Sequence, residues 1–372
     1  MWRFAFVLCT ALLSFTVAAF SQTTLNPDIS LVGDVESYIH NDPLRADEQQ
    51  KLKLADPALE MFVTGYLNPY VRASGTVSWH SGGNAEVEEI YATVVRGLPL
   101  RSSITAGKHL LPFGRLNPVH EHAWSFVMRP LPHELFFGDE GLNDMAVRVS
   151  FSLPTGSAYT ELMGAVLKGE ALLGHEHAES SEVAPEIDPN LGGFARLTTS
   201  MAVSEHAELA LGASIVNAVH DIHQEDPAAP IHQLRATIAG VDAKYKLKPS
   251  RYSTLQIEGE GLFRRSDAEN GDHLNSYGGY GYLDYRFRQV YNLGGIFEYA
   301  KVKEMSEDNA AESDVIESRV WRAGLFIGFA PVEETSVVRL VGHWTEPDVS
   351  KGFWELTLQL IFSLGPHQAH NF

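Results

Sequence analysis

Along most of this chain apolar and polar residues alternate one by one in stretches of about ten, and beyond the N-terminus no apolar run reaches the ~18 residues of a membrane helix. Near the C-terminus Trp354, Leu356, Leu358, Leu360, Phe362 and Leu364 interleave with Glu355, Thr357, Gln359, Ile361 and Ser363. Trp321, Ala323, Leu325, Ile327 and Phe329 are opposed in the same way by Arg322, Gly324, Phe326 and Gly328. Successive side chains of a strand point to opposite faces, so each stretch is a ribbon with one apolar side and one mostly polar side.

A half-buried sheet in a soluble protein has the same period. Three details favour lipid against the apolar side: aromatics near the ends of the apolar rows, charges on the other face, and a length suited to a tilted strand crossing a bilayer. An open sheet would leave edge amides unpaired in lipid, whereas a closed barrel pairs them all. Candidate strands fall near residues 28–39, 58–67, 70–79, 86–96, 100–109, 145–153, 158–168, 192–204, 207–217, 232–247, 253–265, 275–288, 291–303, 314–330, 334–344 and 352–364. That is about sixteen, within a range of roughly 14–18, and the even number is the parity of bacterial outer-membrane barrels. Tight connectors such as 67–69, 97–99, 154–157, 204–206 and 331–333 alternate with long charged ones at 40–57, 110–144, 169–191, 218–231, 266–274, 304–313 and 345–351. The expected fold class is therefore all-β: one transmembrane antiparallel β-barrel with short periplasmic turns and long external loops. Residues 86–96 and 100–109 alternate weakly, and 232–247 changes phase near Gly240, which reads as a bulge.

Residues 1–21 read as an export signal, with Arg3 before an apolar run from Phe4 to Val17 and small residues at Ala18, Ala19 and Ser21. The barrel domain is then 22–372, located in the outer membrane of a Gram-negative bacterium. Cys9, the one cysteine, leaves with the signal, so no disulfide or Cys-ligated metal is expected. With 47 acidic against 28 basic residues the formal charge is −19, which argues against a nucleic-acid partner. No G-x-S-x-G, P-loop or H-E-x-x-H motif occurs, nothing singles out a Ser, His and acid from many, and no enzyme is expected.

A loop as long as 110–144 has a job or is disordered, and its mix of aromatic, Pro, Gly and charged residues is unlike a solvated tail. A barrel of about sixteen strands holds a water-filled channel unless something fills it. The loop is therefore expected to fold inward as a constriction, a packed external lid being the other arrangement. Lys108, Arg115, Arg129, His133 and Glu134 are the candidate constriction charges. By parity the lumen wall receives Arg72, Arg148, Arg196, Lys244, Lys246, Arg264, Arg286, Arg288, Arg322 and Arg339. Glu208, Asp242, Glu258, Glu260, Asp284, Glu298 and Glu355 oppose them, a mixed and slightly basic wall.

Ala106–Asn117, with Gly107, Lys108, Pro112, Phe113 and Gly114, resembles the G-[KR]-x-x-x-P-F-G pattern of the phosphate-selective porin-like family. Leu25–Asp34, His120–Trp124 and Phe136–Gly138 are also similar to short bacterial barrels labelled zinc-regulated outer-membrane receptors. The likeness covers residues 25–145 and implies a porin-type barrel with its third external loop folded in. Porins are often trimers, so the resemblance also implies a homotrimer. Phe372 matches their terminal aromatic, but Pro366, Gln368 and His370 break the alternation before it, which leaves Leu364 as an alternative end of the assembly signal.

The expected function is an outer-membrane channel for passive diffusion of small hydrophilic solutes or ions, its partners being outer-membrane lipid and those solutes. The alternative is a zinc-linked uptake or surface-binding barrel. The sixteen histidines cluster in long connectors, and His175, His177, His220 and His223 beside Glu176, Glu179, Asp221 and Glu225 offer zinc-type donors. The His120-Glu121-His122 pair likewise converges poorly on a helix but could share an ion on a loop.

Overall fold

An alternating chain with this many strands can satisfy its edge amides by pairing the last strand with the first, and this chain does so. The structure is a computed structural model that describes residues 27–80, 83–172, 186–223, 232–267, 273–305, 315–332 and 336–365. The expected signal, residues 1–21, lies outside the described residues, as does Phe372. Sixteen long strands follow in an antiparallel meander. They are β1 Asp28–His40, β2 Ala58–Asn68, β3 Val71–His80, β4 Ala85–Val94, β5 Ser102–Leu110, β6 Asn143–Thr155, β7 Ala158–Leu167 and β8 Gly192–Ser204. The second half is β9 Ala207–His223, β10 His232–Ser250, β11 Ser253–Asp267, β12 His273–Phe287, β13 Tyr291–Met305, β14 Val315–Val332, β15 Ser336–Pro347 and β16 Phe353–Leu364. β1 pairs with β2 from Asp28↔Thr64 to Asp34↔Ala58 and with β16 from Leu31↔Leu364 to His40↔Glu355, which closes the barrel. Two short strands, Lys53–Leu54 and Glu186–Pro189, add to β1 and β9.

The two faces separate as the alternation demands. Leu325 is 73% exposed while its neighbour Phe326 is 2% exposed. Register lines up Leu293, Ile327, Leu340 and Leu358 on four adjacent strands, and all four are exposed. In water such a continuous apolar surface is a liability, whereas in lipid it is the natural exterior. Near the tight-turn end Phe287 stacks on Tyr291, which stacks on Phe329. Toward the other end Phe297 stacks on Trp321. Tyr291 and Tyr299 are eight residues apart, ~26 Å along one strand, the scale of an apolar band flanked by aromatic girdles.

The weakly alternating segment 86–96 contains a bulge: Thr76 pairs with Glu89 and Val77 with Val87, so Glu88 is an extra residue. The bulge expected near Gly240 is not there. β10 keeps unbroken register with β9 from Ala207↔Leu247 to Ile222↔His232 and with β11 from Ala236↔Ser266 to Leu247↔Leu255. Its inner face is apolar at Ala236 and Ile238 and polar at Asp242, Lys244 and Lys246, and that change of chemistry along one face mimics a change of phase. Arg288, read as a wall residue, instead sits in the turn after β12 with a positive φ of 52°.

Because Leu325 faces outward midway along β14, Leu325→Arg is expected to destabilise the barrel in phospholipid vesicles by about 2–4 kcal/mol, read from equilibrium unfolding. An unchanged unfolding midpoint would contradict lipid contact at that face.

Candidate functional site

Residues 111–142 connect β5 to β6 and are tied off at the neck. Leu111 N donates to Leu142 O (2.9 Å). Asn117 bridges both sides, Nδ2 donating to Leu111 O (2.7 Å) and Leu142 O (3.1 Å), and Oδ1 accepting from Leu142 N (2.8 Å). Pro132 at the start of a helix, Leu131–Phe137, and Gly138 at its end give the segment a fixed element of its own. Its apolar side chains form two clusters with the inner wall. Leu111, Phe113, Phe136, Phe137 and Leu142 pack with Val216, Ile238 and Leu262, while Leu116, Trp124 and Phe126 pack with Tyr280, Tyr282, Ile296 and Phe326.

Inward polar residues of seven consecutive strands hold the segment. Ser214 Oγ accepts from Gly114 N (3.2 Å), and Asp242 pairs with Arg115 (2.9 Å). Asp284 accepts from Ser125 Oγ (2.7 Å) and Glu298 from Leu131 N (2.8 Å). Arg322 donates to Arg129 O (2.6 Å) and Arg339 to His122 O (3.1 Å). Glu260 is the hub: Oε1 accepts from Arg115 N (2.6 Å), Leu116 N (2.9 Å) and Tyr280 OH (2.9 Å), and Oε2 faces His133 Nε2 (3.0 Å). Gly114 makes this possible, since its φ of +61° suits glycine and a Cβ there would overlap the Glu260 carboxylate. On the other flank His120 Nε2 lies 3.1 Å from Glu89, and His122 Nδ1 3.1 Å from Glu60. The segment is thus bonded to β2 and β4 on one side and to β9–β15 on the other.

Beside the segment is a cavity of about 910 Å³. Basic side chains from Arg72, Arg115, Arg148, Arg196, Lys244, Lys246, Lys248, Arg251 and Arg286 line it, against the acids Glu89, Glu161, Glu258 and Asp284. The wall carboxylates Glu260 and Glu298 are absent from this lining and bond the segment, whereas Asp284 and Glu89 bond the segment and also line the cavity.

Of the candidate constriction charges, Arg115 alone lines this cavity. Arg129 pairs with Glu121 (2.8 Å) over the Trp124 ring, and His133 is wholly buried on Glu260. Lys108 pairs laterally with outward-facing Ile90 and reaches Glu140 (3.8 Å), so its parity directs it away from the cavity. Glu134, on the helix, is half-buried. Of the basic candidate wall residues, Arg72, Arg148, Arg196, Lys244, Lys246 and Arg286 line the cavity. Arg322 lies beneath the segment, paired with Glu298 at 2.7 and 3.0 Å. His175 and His177 lie outside the described residues, and His220 and His223 are described only as backbone of β9. Glu60, Glu88 and Glu89 belong to no sequence motif; the adjacent glutamates 88 and 89, which interrupt the alternation, are their one trace in the chain.

Burial opposes the charge of His120, but its hydrogen bond to Glu89 and the fields of Glu60, Glu89 and Glu88 outweigh it and raise its pKa to about 9. Burial pushes the Glu134 carboxyl above the usual glutamate range, with Arg322 pulling against it.

No family model matches the chain. An uncharacterized protein of Aquifex aeolicus (strain VF5) is 29% identical over 408 residues, covering 96% of this chain and 82% of that protein. Among solved structures, the anion-selective porin from Comamonas acidovorans superposes with a TM-score of 0.56 at 9% identity, over 91% of this chain and 99% of the porin. The fold is that of the outer-membrane porins. The outer-membrane channel DcaP of Acinetobacter baumannii shares the porin fold at a TM-score of 0.54 and 12% identity, over 93% of this chain and 100% of DcaP. The trimer form of OmpT of Vibrio cholerae does so at 0.55 and 9% identity, over 91% and 99%.

Removing Glu260 leaves His133 and two segment amides without their acceptor, so Glu260→Ala is expected to cost about 3–5 kcal/mol in equilibrium unfolding. For Glu134 the sign runs the other way. An acid whose folded pKa is raised has no penalty below its unfolded pKa, near 4.3, and a growing one as pH rises through its folded value. Glu134→Gln is therefore expected to unfold at the same midpoint as the parent at pH 4 and at a higher one at pH 7.

Proposed function

We propose that the protein is an outer-membrane porin, a passive and non-catalytic channel for small hydrophilic solutes in which anions are preferred. The observation that carries this reading is the segment 111–142, bonded to β2 and β4 and to the facing strands β9–β15 of one closed barrel. A segment anchored on opposed walls crosses the lumen and narrows it, and it consumes wall carboxylates as it does so. What remains along the cavity is mainly lysine and arginine, and fixed positive charge in a confined aqueous space raises the local concentration of anions. The names of two fold neighbours, an anion-selective porin and an outer-membrane channel, support the reading, and the trimer form of a third supports a homotrimer.

Reconstituted in a planar bilayer under a potassium chloride gradient, the protein is expected to give stable open channels with a reversal potential on the chloride side. Lys244→Glu with Lys246→Glu and Arg286→Glu should move that potential toward potassium, and deletion of 115–140 should raise single-channel conductance. A closed membrane, or potassium preference in the unsubstituted protein, would count against the proposal.

A further inference from the structure

We infer that Glu60, Glu88 and His120 form a binding site for a divalent first-row transition ion such as zinc, one that fastens the segment 111–142 to β2 and β4. His120 Nδ1 lies 3.7 Å from Glu60 Oε2 and 3.8 Å from Glu88 Oε2, and one donor atom from each residue fits within 4.8 Å of the others. Ligand bonds of ~2.1 Å at the tetrahedral angle put donor atoms ~3.4 Å apart, so small side-chain adjustments would close the triangle on an ion.

Two independent features point to a ligand rather than to a chance meeting of charges. The first is the arrangement behind the imidazole. Its Nε2 faces Glu89 Oε2 at 3.1 Å, and the other Glu89 oxygen accepts from Leu110 N (2.9 Å). An ion that binds displaces the Nδ1 proton, and the carboxylate fixed on Nε2 then sets the tautomer and holds the Nδ1 lone pair toward the metal, the usual setting of a ligating histidine. The second is the bulge in β4. In a regular strand Glu88 and Glu89 would point to opposite faces; the extra residue brings both within reach of the same His120 ring. His122 Nδ1, 3.1 Å from Glu60 Oε2, is the nearest further donor. The Phe62 ring meets both imidazoles edge-on, at 5.0 and 5.6 Å, and supplies an apolar wall that strengthens charge interactions. An imidazole with carboxylates suits zinc and its neighbours, whereas calcium and magnesium take oxygen ligands alone.

The test titrates zinc chloride into the full folded chain, stripped with chelator and held in detergent micelles, by calorimetry. One ion per chain is expected. Binding should be lost in His120→Gln, weakened about 10–100-fold in the positioning variant Glu89→Gln, and unchanged in His175→Ala with His177→Ala. Heat-dependent gel mobility checks that each variant remains a folded barrel. X-ray absorption of the zinc-loaded unsubstituted protein needs no variant and is expected to show one or two imidazole nitrogens with carboxylate oxygens. No saturable binding, binding indifferent to His120→Gln, or a shell of three or four imidazoles would each overturn the inference. None of these readouts depends on whether the barrel conducts.

Discussion

A backbone amide facing hydrocarbon has no water to fall back on, and this one constraint organises the molecule. It requires β1 to pair on both sides, with β2 and with β16, and closure in turn fixes every strand's inward and outward sets. Outward, apolar rows meet lipid. Inward, the same alternation delivers Asp242, Glu260, Glu298 and Arg322 to an interior where a polar group left without a partner is costly. The segment 111–142 answers that second demand with its own backbone: amides of residues 115, 116 and 131 and carbonyls of 122 and 129 meet wall charges. Wall and segment each complete the other's hydrogen bonding.

This division of labour explains how a chain of formal charge −19 comes to line its cavity with basic groups. Carboxylates are the better partners for exposed backbone N–H groups, so those nearest the segment are taken up as anchors. Arginines also serve as anchors, but Arg72 and Arg148 line the cavity on wall threonines rather than on the segment, and Lys244 lines it paired with Glu258 (3.6 Å). The sign of the cavity therefore follows from where the segment binds rather than from overall composition.

The fold was legible in the chain because period two survives wherever a strand has lipid on one side. All sixteen long strands fall at expected positions, their ends within three residues except that β9 runs six residues past the expected 217 to His223, and β16 ends at Leu364, where the alternation stops. Legibility failed where the inner face has two kinds of neighbour. Ala236 and Ile238 pack on the segment while Lys244 and Lys246 line the cavity, so β10 resembles a strand that has slipped. The candidate charges were less legible still. Parity identified wall residues such as Arg148 and Arg286, but it says nothing of a connector's tertiary contacts, and so it could not separate cavity-facing Arg115 from buried His133. The cluster at His120 needed both a loop conformation and a bulge, neither of which a spacing rule contains.

Gly240 is the wall residue that the alternation explains least and the packing explains best. A methyl group at that position would run into the ring of Phe113, at 2.8 Å from its edge. The inner surface is thus a mould, with a dimple where one particular side chain of the segment seats. A barrel of the same strand count without that dimple would not seat Phe113 in this place, so exchanging this segment among related barrels would not by itself carry its packing along.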